Sequence, residues 1–313
     1  MKIGALNLPN VSPGKAWILP FLAVFFWYAM LISLMICWFV QGRPILDTDH
    51  TEMPHYIVYL SNIGATKLQP IFICGSLFMG IFFVWAVIED YYLRTPERKY
   101  FPPIFHWFLT AVHALAIALS IIASLCILMA SCLKDNWQYS RPHSVFVVLF
   151  VIFVFSYLCA HMLTYIIYYK HYGVKFYRNM IIIKVIWIAI AIVFVVTYGA
   201  FMGKGNSGGR HSIWWGYSAI MEWVLVFWYG LMFPLLMADL NVKNYGNQAE
   251  YLMGQGNEAG SASGSGNDDY DMERITKQET WDNHNPFDNR YENEHTTGVQ
   301  ENLTQGYNNR QFL

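Results

Sequence analysis

Residues 146–155 read Phe146-Val147-Val148-Leu149-Phe150-Val151-Ile152-Phe153-Val154-Phe155. No position in this stretch is polar. It shows neither the alternation of a half-buried strand nor the single apolar stripe of a surface helix. A helix apolar on every face belongs in a large core or in lipid. Followed outward, the run extends over about 144–168, longer than the ~20 residues that cross a hydrocarbon layer of ~30 Å as a helix. Five more runs of this kind occupy roughly 17–40, 68–88, 104–131, 180–202 and 214–237, each nearly free of charge. Trp17, Tyr91, Tyr92, Trp107, Trp137, Tyr139, Tyr168, Tyr169, Trp214 and Trp215 lie at their ends, where amphipathic rings settle at a membrane surface. The spacing predicts an all-α membrane protein, a bundle of six transmembrane helices over 1–243. The first run is too long for a cleaved signal peptide and reads as a retained span.

Composition agrees. Of 313 residues, 55% are hydrophobic and only 13% charged, against about 25% charged in a soluble domain. The mean hydropathy of +0.30 is modest for such a chain because its two parts differ. Residues 1–243 hold sixteen Lys/Arg and nine Asp/Glu; residues 244–313 hold four and twelve. The acidic stretch 244–313 is rich in Asn, Gly, Asp and Glu and lacks material for a core, which predicts a disordered cytosolic tail. Six spans put both termini on one side. Ten of the sixteen basic residues fall on that side and six on the other, so the positive-inside rule assigns the termini to the cytosol. The sequons at Asn10 and Asn302 then lie away from the glycosylation machinery. Five cysteines, none paired within an exofacial loop, exclude a disulfide-stapled ectodomain.

Chemistry-bearing residues are few. Glu222 reads as the one acid deep in a span, and an ionisable group there marks either a polar site or an interhelical anchor. His113 and His161 also lie within spans; with Glu222 they could make a metal or proton site, but no ligand spacing accompanies them, and they read first as histidines that hydrogen-bond between helices. No metal, cofactor or nucleic acid is expected, and no catalytic motif is present. Asp47, Asp49 and Glu52 lie in a first exofacial loop, 41–67, that reads as a solvated cap without calcium-loop spacing. On the cytosolic side, the stretch 168–178 reads as a loop. There Lys170, Lys175 and Arg178 interleave with tyrosines, a composition suited to anionic inner-leaflet lipid. In the tail, Asn285-Pro286-Phe287 forms a compact turn motif that fits the EH domains of endocytic adaptors.

Two stretches carry a family resemblance. One comprises Pro44, Asp47-Thr48 and Tyr59-Leu60-Ser61-Asn62-Ile63-Gly64-Ala65; the other is Ser218-Ala219-Ile220-Met221-Glu222-Trp223. The six-span body resembles the family of damage-regulated autophagy modulators, FGF-receptor-activating protein and the fungal suppressor-of-four-kinase (Sfk) proteins. It is most similar to the fungal branch, although Leu46 stands in a Leu46-Asp47-Thr48-Asp49 run where many relatives have Ser-Asp-Thr-Gly. The resemblance implies a non-catalytic plasma-membrane protein that supports a phosphatidylinositol 4-kinase complex and membrane lipid organisation. It also implies that Pro44, Asp47, Thr48, Asn62 and Gly64 form a family loop. The rival expectations are a lipid or ion mover using Glu222, and a sorting cargo using the Asn-Pro-Phe motif.

Overall fold

A computed structural model describes residues 12–43, 57–95, 101, 104, 106–133, 140–208 and 212–241. Six apolar helical stretches are long enough to cross a membrane. The elements are α1 (Ile18–Val40), α2 (Leu60–Gly64), α3 (Gln69–Leu93), α4 (Trp107–Cys132), α5 (Ser140–Tyr172), α6 (Lys175–Gly208), α7 (Trp214–Gly230) and α8 (Met232–Asp239). Spans form a ring in the order α1, α3, α4, α5, α6 and α7–α8, with α8 closing back on α1. Its outer surface is aliphatic: Ile182, Ile186, Val193 and Val196 of α6 are all exposed. Such a face is stable only against lipid chains. The chain is a multi-pass membrane protein.

The interior is aromatic. Phe83 of α3 meets Tyr157 and Phe233 edge-on at 5.1 and 5.7 Å, and Tyr229 meets Trp27 and Phe150 at 5.0 Å each. Edge-to-face pairs of this kind stabilise beyond the area they bury. They join α1, α3, α5, α7 and α8 at one centre.

The sixth span is broken at Leu231, and Pro234 is the reason. An interior proline cannot donate to the carbonyl four residues back, and its ring crowds that carbonyl. Leu231 N instead donates to Trp228 O at 3.0 Å. That leaves the Phe227 carbonyl for Tyr28 Oη, which donates to it at 2.9 Å, while Trp27 Nε1 donates to Val226 O at 2.8 Å. Lipid offers freed carbonyls no partner, so side chains of the next helix must supply one. The approach is close. A Cβ on Gly230 would lie 2.6 Å from the Tyr28 ring.

Three loop expectations are corrected. Residues 168–178 are mostly helix, because α5 and α6 run for 33 and 34 residues, about 50 Å each at 1.5 Å per residue. Only Gly173 and Val174 separate them. Gly173 takes φ +68°, the left-handed conformation that ends a helix without a Cβ clash. Second, α6 continues to Gly208, six residues past the end expected for the fifth run at 202 and into the connection to the sixth run at 214. Third, the expected solvated loop 41–67 is exposed at Gln41 to Arg43 and at Lys67, but Leu60 to Gly64 form a buried helical turn against α1, α3 and α7. Pro44, Asp47, Thr48, Asp49 and Glu52, the sequons' Asn10 and Asn302, and the tail 244–313 with Asn285, Pro286 and Phe287 lie outside the described residues.

Candidate functional site

At the end of the bundle opposite the termini, α7 grips the segment before α2. Trp223 Nε1 donates to Val58 O at 3.0 Å, Tyr59 Oη bonds Ser218 Oγ, and Leu60 N donates to Glu222 Oε2 at 2.8 Å. The first amides of a helix have no intrahelical acceptor. Glu222 fills that role for α2, so Ser218, Glu222 and Trp223 act as one clamp. Asn62 and Gly64 are buried in the clamped turn, and a Cβ on Gly64 would lie 2.5 Å from the Phe72 ring. Its glycine is fixed by that approach.

His113 and His161 do not join Glu222. They converge on Asp90 near the opposite end of the bundle. Asp90 Oδ2 faces His161 Nε2 at 3.6 Å and His113 Nδ1 at 3.9 Å, both longer than hydrogen bonds. Its Oδ1 accepts from Arg94 Nε and Nη2 at 3.1 and 3.0 Å. On the other side of His161, Lys184 Nζ donates to Nδ1 at 3.0 Å and to Asp239 Oδ2 at 2.8 Å. A lysine ammonium has only donors, so the neutral imidazole carries its proton on Nε2, toward Asp90. The result is a line of groups, Arg94, Asp90, His161, Lys184 and Asp239, drawn from α3, its C-terminal cap, α5, α6 and α8. Within this line, two cations face two anions and the histidines are neutral. All of these side chains, and His113, are at most 3% exposed.

Tyrosines enclose this line. The Arg94 guanidinium lies over the Tyr168 and Phe101 rings at 5.0 and 5.3 Å and donates to Tyr177 Oη at 3.4 Å. Lys184 Nζ sits 3.8 Å from the Tyr165 ring centre. Cation–π contact strengthens where water is excluded. Tyr165 and Tyr168 of α5 pack on Tyr177 of α6 at 5.2 and 5.4 Å, so the network reaches the α5–α6 turn. Just beyond it, Lys170, Lys175 and Arg178 are exposed.

The expectation of Glu222 as the one deep acid is therefore corrected. Asp90, Asp239 and Glu89 are acids of the helical body as well, and all three are buried. They sit where the apolar runs stop, and the charge that ended each run read as a water-facing end. Two signals were present: the Asp90/Arg94 spacing of four, and Lys184 alone in an otherwise apolar run, which demands an acid partner. Arg94 and Lys184 also leave the orientation tally, because both are buried and paired rather than solvated in a loop. Among the described residues no group of three His, Cys, Asp or Glu side chains is arranged to hold a metal ion. With its members buried, the network joins α3, α5, α6 and α8.

Residues 15–243 match the family model described as Frag1/DRAM/Sfk1/Cwh43P N-terminal domain. Protein SFK1 of Saccharomyces cerevisiae is 27% identical over 305 residues, covering 77% of this chain and 82% of that protein. Protein sfk1 of Schizosaccharomyces pombe is 24% identical over 227 residues, covering 71% of this chain and 62% of that protein. No solved structure matches. With the family match running from the first span to the last, the chain belongs to the Frag1/DRAM/Sfk1 family of membrane proteins.

Proposed function

We propose that this protein is a non-catalytic plasma-membrane regulator that supports a phosphatidylinositol 4-kinase complex at the inner leaflet. The kinase and the plasma membrane come from family membership. The observation that favours this reading is the basic turn between α5 and α6. Lys170, Lys175 and Arg178 are exposed around a connection of two residues, and the Arg94–tyrosine cage stiffens its base. Each basic side chain near an anionic leaflet adds about 1 kcal/mol of attraction. A turn fixed in this way binds with less ordering cost than a mobile loop. The start of α1, the end of α8 and this turn share one end of the bundle, which we assign to the cytosol. The tail would then offer Asn285-Pro286-Phe287 to an EH-domain adaptor.

The test is a phosphatidylinositol 4-phosphate reporter imaged in cells lacking the protein and in cells carrying Lys170→Ala/Lys175→Ala/Arg178→Ala. The deletion should lower the surface signal and displace the kinase, and the triple variant should reproduce the defect at normal protein abundance. An unchanged reporter and unchanged kinase localisation in the deletion would overturn the proposal. Glu222 spends its carboxylate on an α2 amide, so its geometry favours an anchor over a transport group.

A further inference from the structure

Between α1 and α7 the ring is loosely closed at the end opposite the termini, because α1 packs mainly on α8 lower down. A lateral groove of about 600 Å³ opens there, lined by Trp38 and Phe39 of α1, Phe194 of α6 and Trp223, Phe227 and Trp228 of α7. Along α1 its lining extends from Tyr28 to Phe39, and along α7 from Ile220 to Leu231. Eleven residues of helical rise are about 16 Å, which is half of the ~30 Å hydrocarbon layer. The groove is one leaflet deep.

A cation stands at its mouth. The Arg43 guanidinium lies 4.7 Å from the centre of the Phe39 ring, a ring that lines the groove. Arg43 takes φ +55°, a conformation uncommon for a side chain of this size. It is held there by its own amide, which donates to Trp38 O at 3.1 Å. Arg43 lies four residues beyond Phe39, past the last residue of α1.

The geometry points to a phospholipid site in the leaflet opposite the termini, with one acyl chain in the α1–α7 groove and the phosphate on Arg43. Hydrocarbon is the only occupant that an apolar groove one leaflet deep meets throughout its length. A guanidinium is the side chain best matched to phosphate oxygens, which it binds through two parallel N–H bonds. This site is independent of the kinase reading, which rests on the other end of the bundle.

Photolabelling tests it. The full chain is reconstituted in phosphatidylcholine vesicles containing phosphatidylcholine with a diazirine midway along one acyl chain. A parallel set contains diacylglycerol with the same labelled chain and no phosphate. Illumination should place the phospholipid label on peptides holding Trp38, Trp223 or Phe227, and Arg43→Ala should reduce that labelling about tenfold, the loss expected for one charged hydrogen-bonding group. The diacylglycerol label should be weaker and unmoved by Arg43→Ala. Val224→Trp, which fills the groove, should abolish phospholipid labelling there, with its thermal midpoint confirming that it folds. Labelling spread evenly over the lipid-facing surface, or phospholipid labelling that Arg43→Ala leaves intact, would overturn the assignment.

Discussion

Glu222 serves a backbone amide, and that role separates its substitutions. In Glu222→Gln the side-chain oxygen still accepts from Leu60 N, so the thermal midpoint in detergent should stay near that of the parent. In Glu222→Leu the amide at the start of the buried α2 is left unpaired, a loss of about 1–3 kcal/mol. If both variants melt alike, the clamp is not what holds α2. Lys184 makes the opposite case, because its partner is charged. Lys184→Met strands the Asp239 carboxylate in a buried site, and breaking such a pair costs about 3–5 kcal/mol. Lys184→Met/Asp239→Leu removes both charges and should recover much of that loss, since an apolar pair of similar volume is often as stable as the ions it replaces. Equilibrium unfolding of the parent, both single variants and the double variant measures the coupling, and additive losses would show that the two groups do not work as a pair.

The elements were legible to different depths. All six spans follow from runs such as 146–155, where no face is polar and lipid is the one environment that fits. Their ends were not legible, because a helix in a bundle continues into its charged flanks when those flanks find partners. Asp90 finds its partner inside the bundle, so the hydropathy break there is no helix end, and α3 runs on to Leu93. The histidines were recognised as intramembrane groups, but pairing them with Glu222 assumed that polar residues in different spans lie at one depth. His113 lies early in α4 and His161 late in α5, which places both near the terminal end, whereas Glu222 lies early in the sixth span. At the break in that span, close approach is the controlling factor. Gly230→Ala places a methyl 2.6 Å from the Tyr28 ring and should destabilise the bundle by about 1–3 kcal/mol, as overpacking does. Tyr28→Ala makes room for that methyl, so adding it to Gly230→Ala should cost less than the sum of the two single losses. Additive losses would disconnect the glycine from that contact.

At the scale of the molecule, the two ends of the bundle differ in chemistry. One end holds a buried balanced ion network beneath an exposed basic turn; the other holds the α2 clamp and the open α1–α7 seam. This polarity makes orientation the property on which the functional reading depends, and the tally of basic residues alone weakens once Arg94 and Lys184 prove buried. A direct measurement is available from the protein's own thiols. Cys132 is an exposed free cysteine at the last residue of α4, at the end opposite the termini. If the termini are cytosolic, a membrane-impermeant maleimide applied to intact cells should label Cys132. A cysteine introduced by Lys170→Cys in a Cys132→Ser background should react only after permeabilisation, because it belongs to the basic turn at the other end. Labelling of the Lys170→Cys variant on intact cells, with Cys132 protected, would invert the protein. It would turn the basic turn away from the anionic leaflet and remove the physical ground for kinase support there, while leaving the phospholipid groove untouched in its geometry.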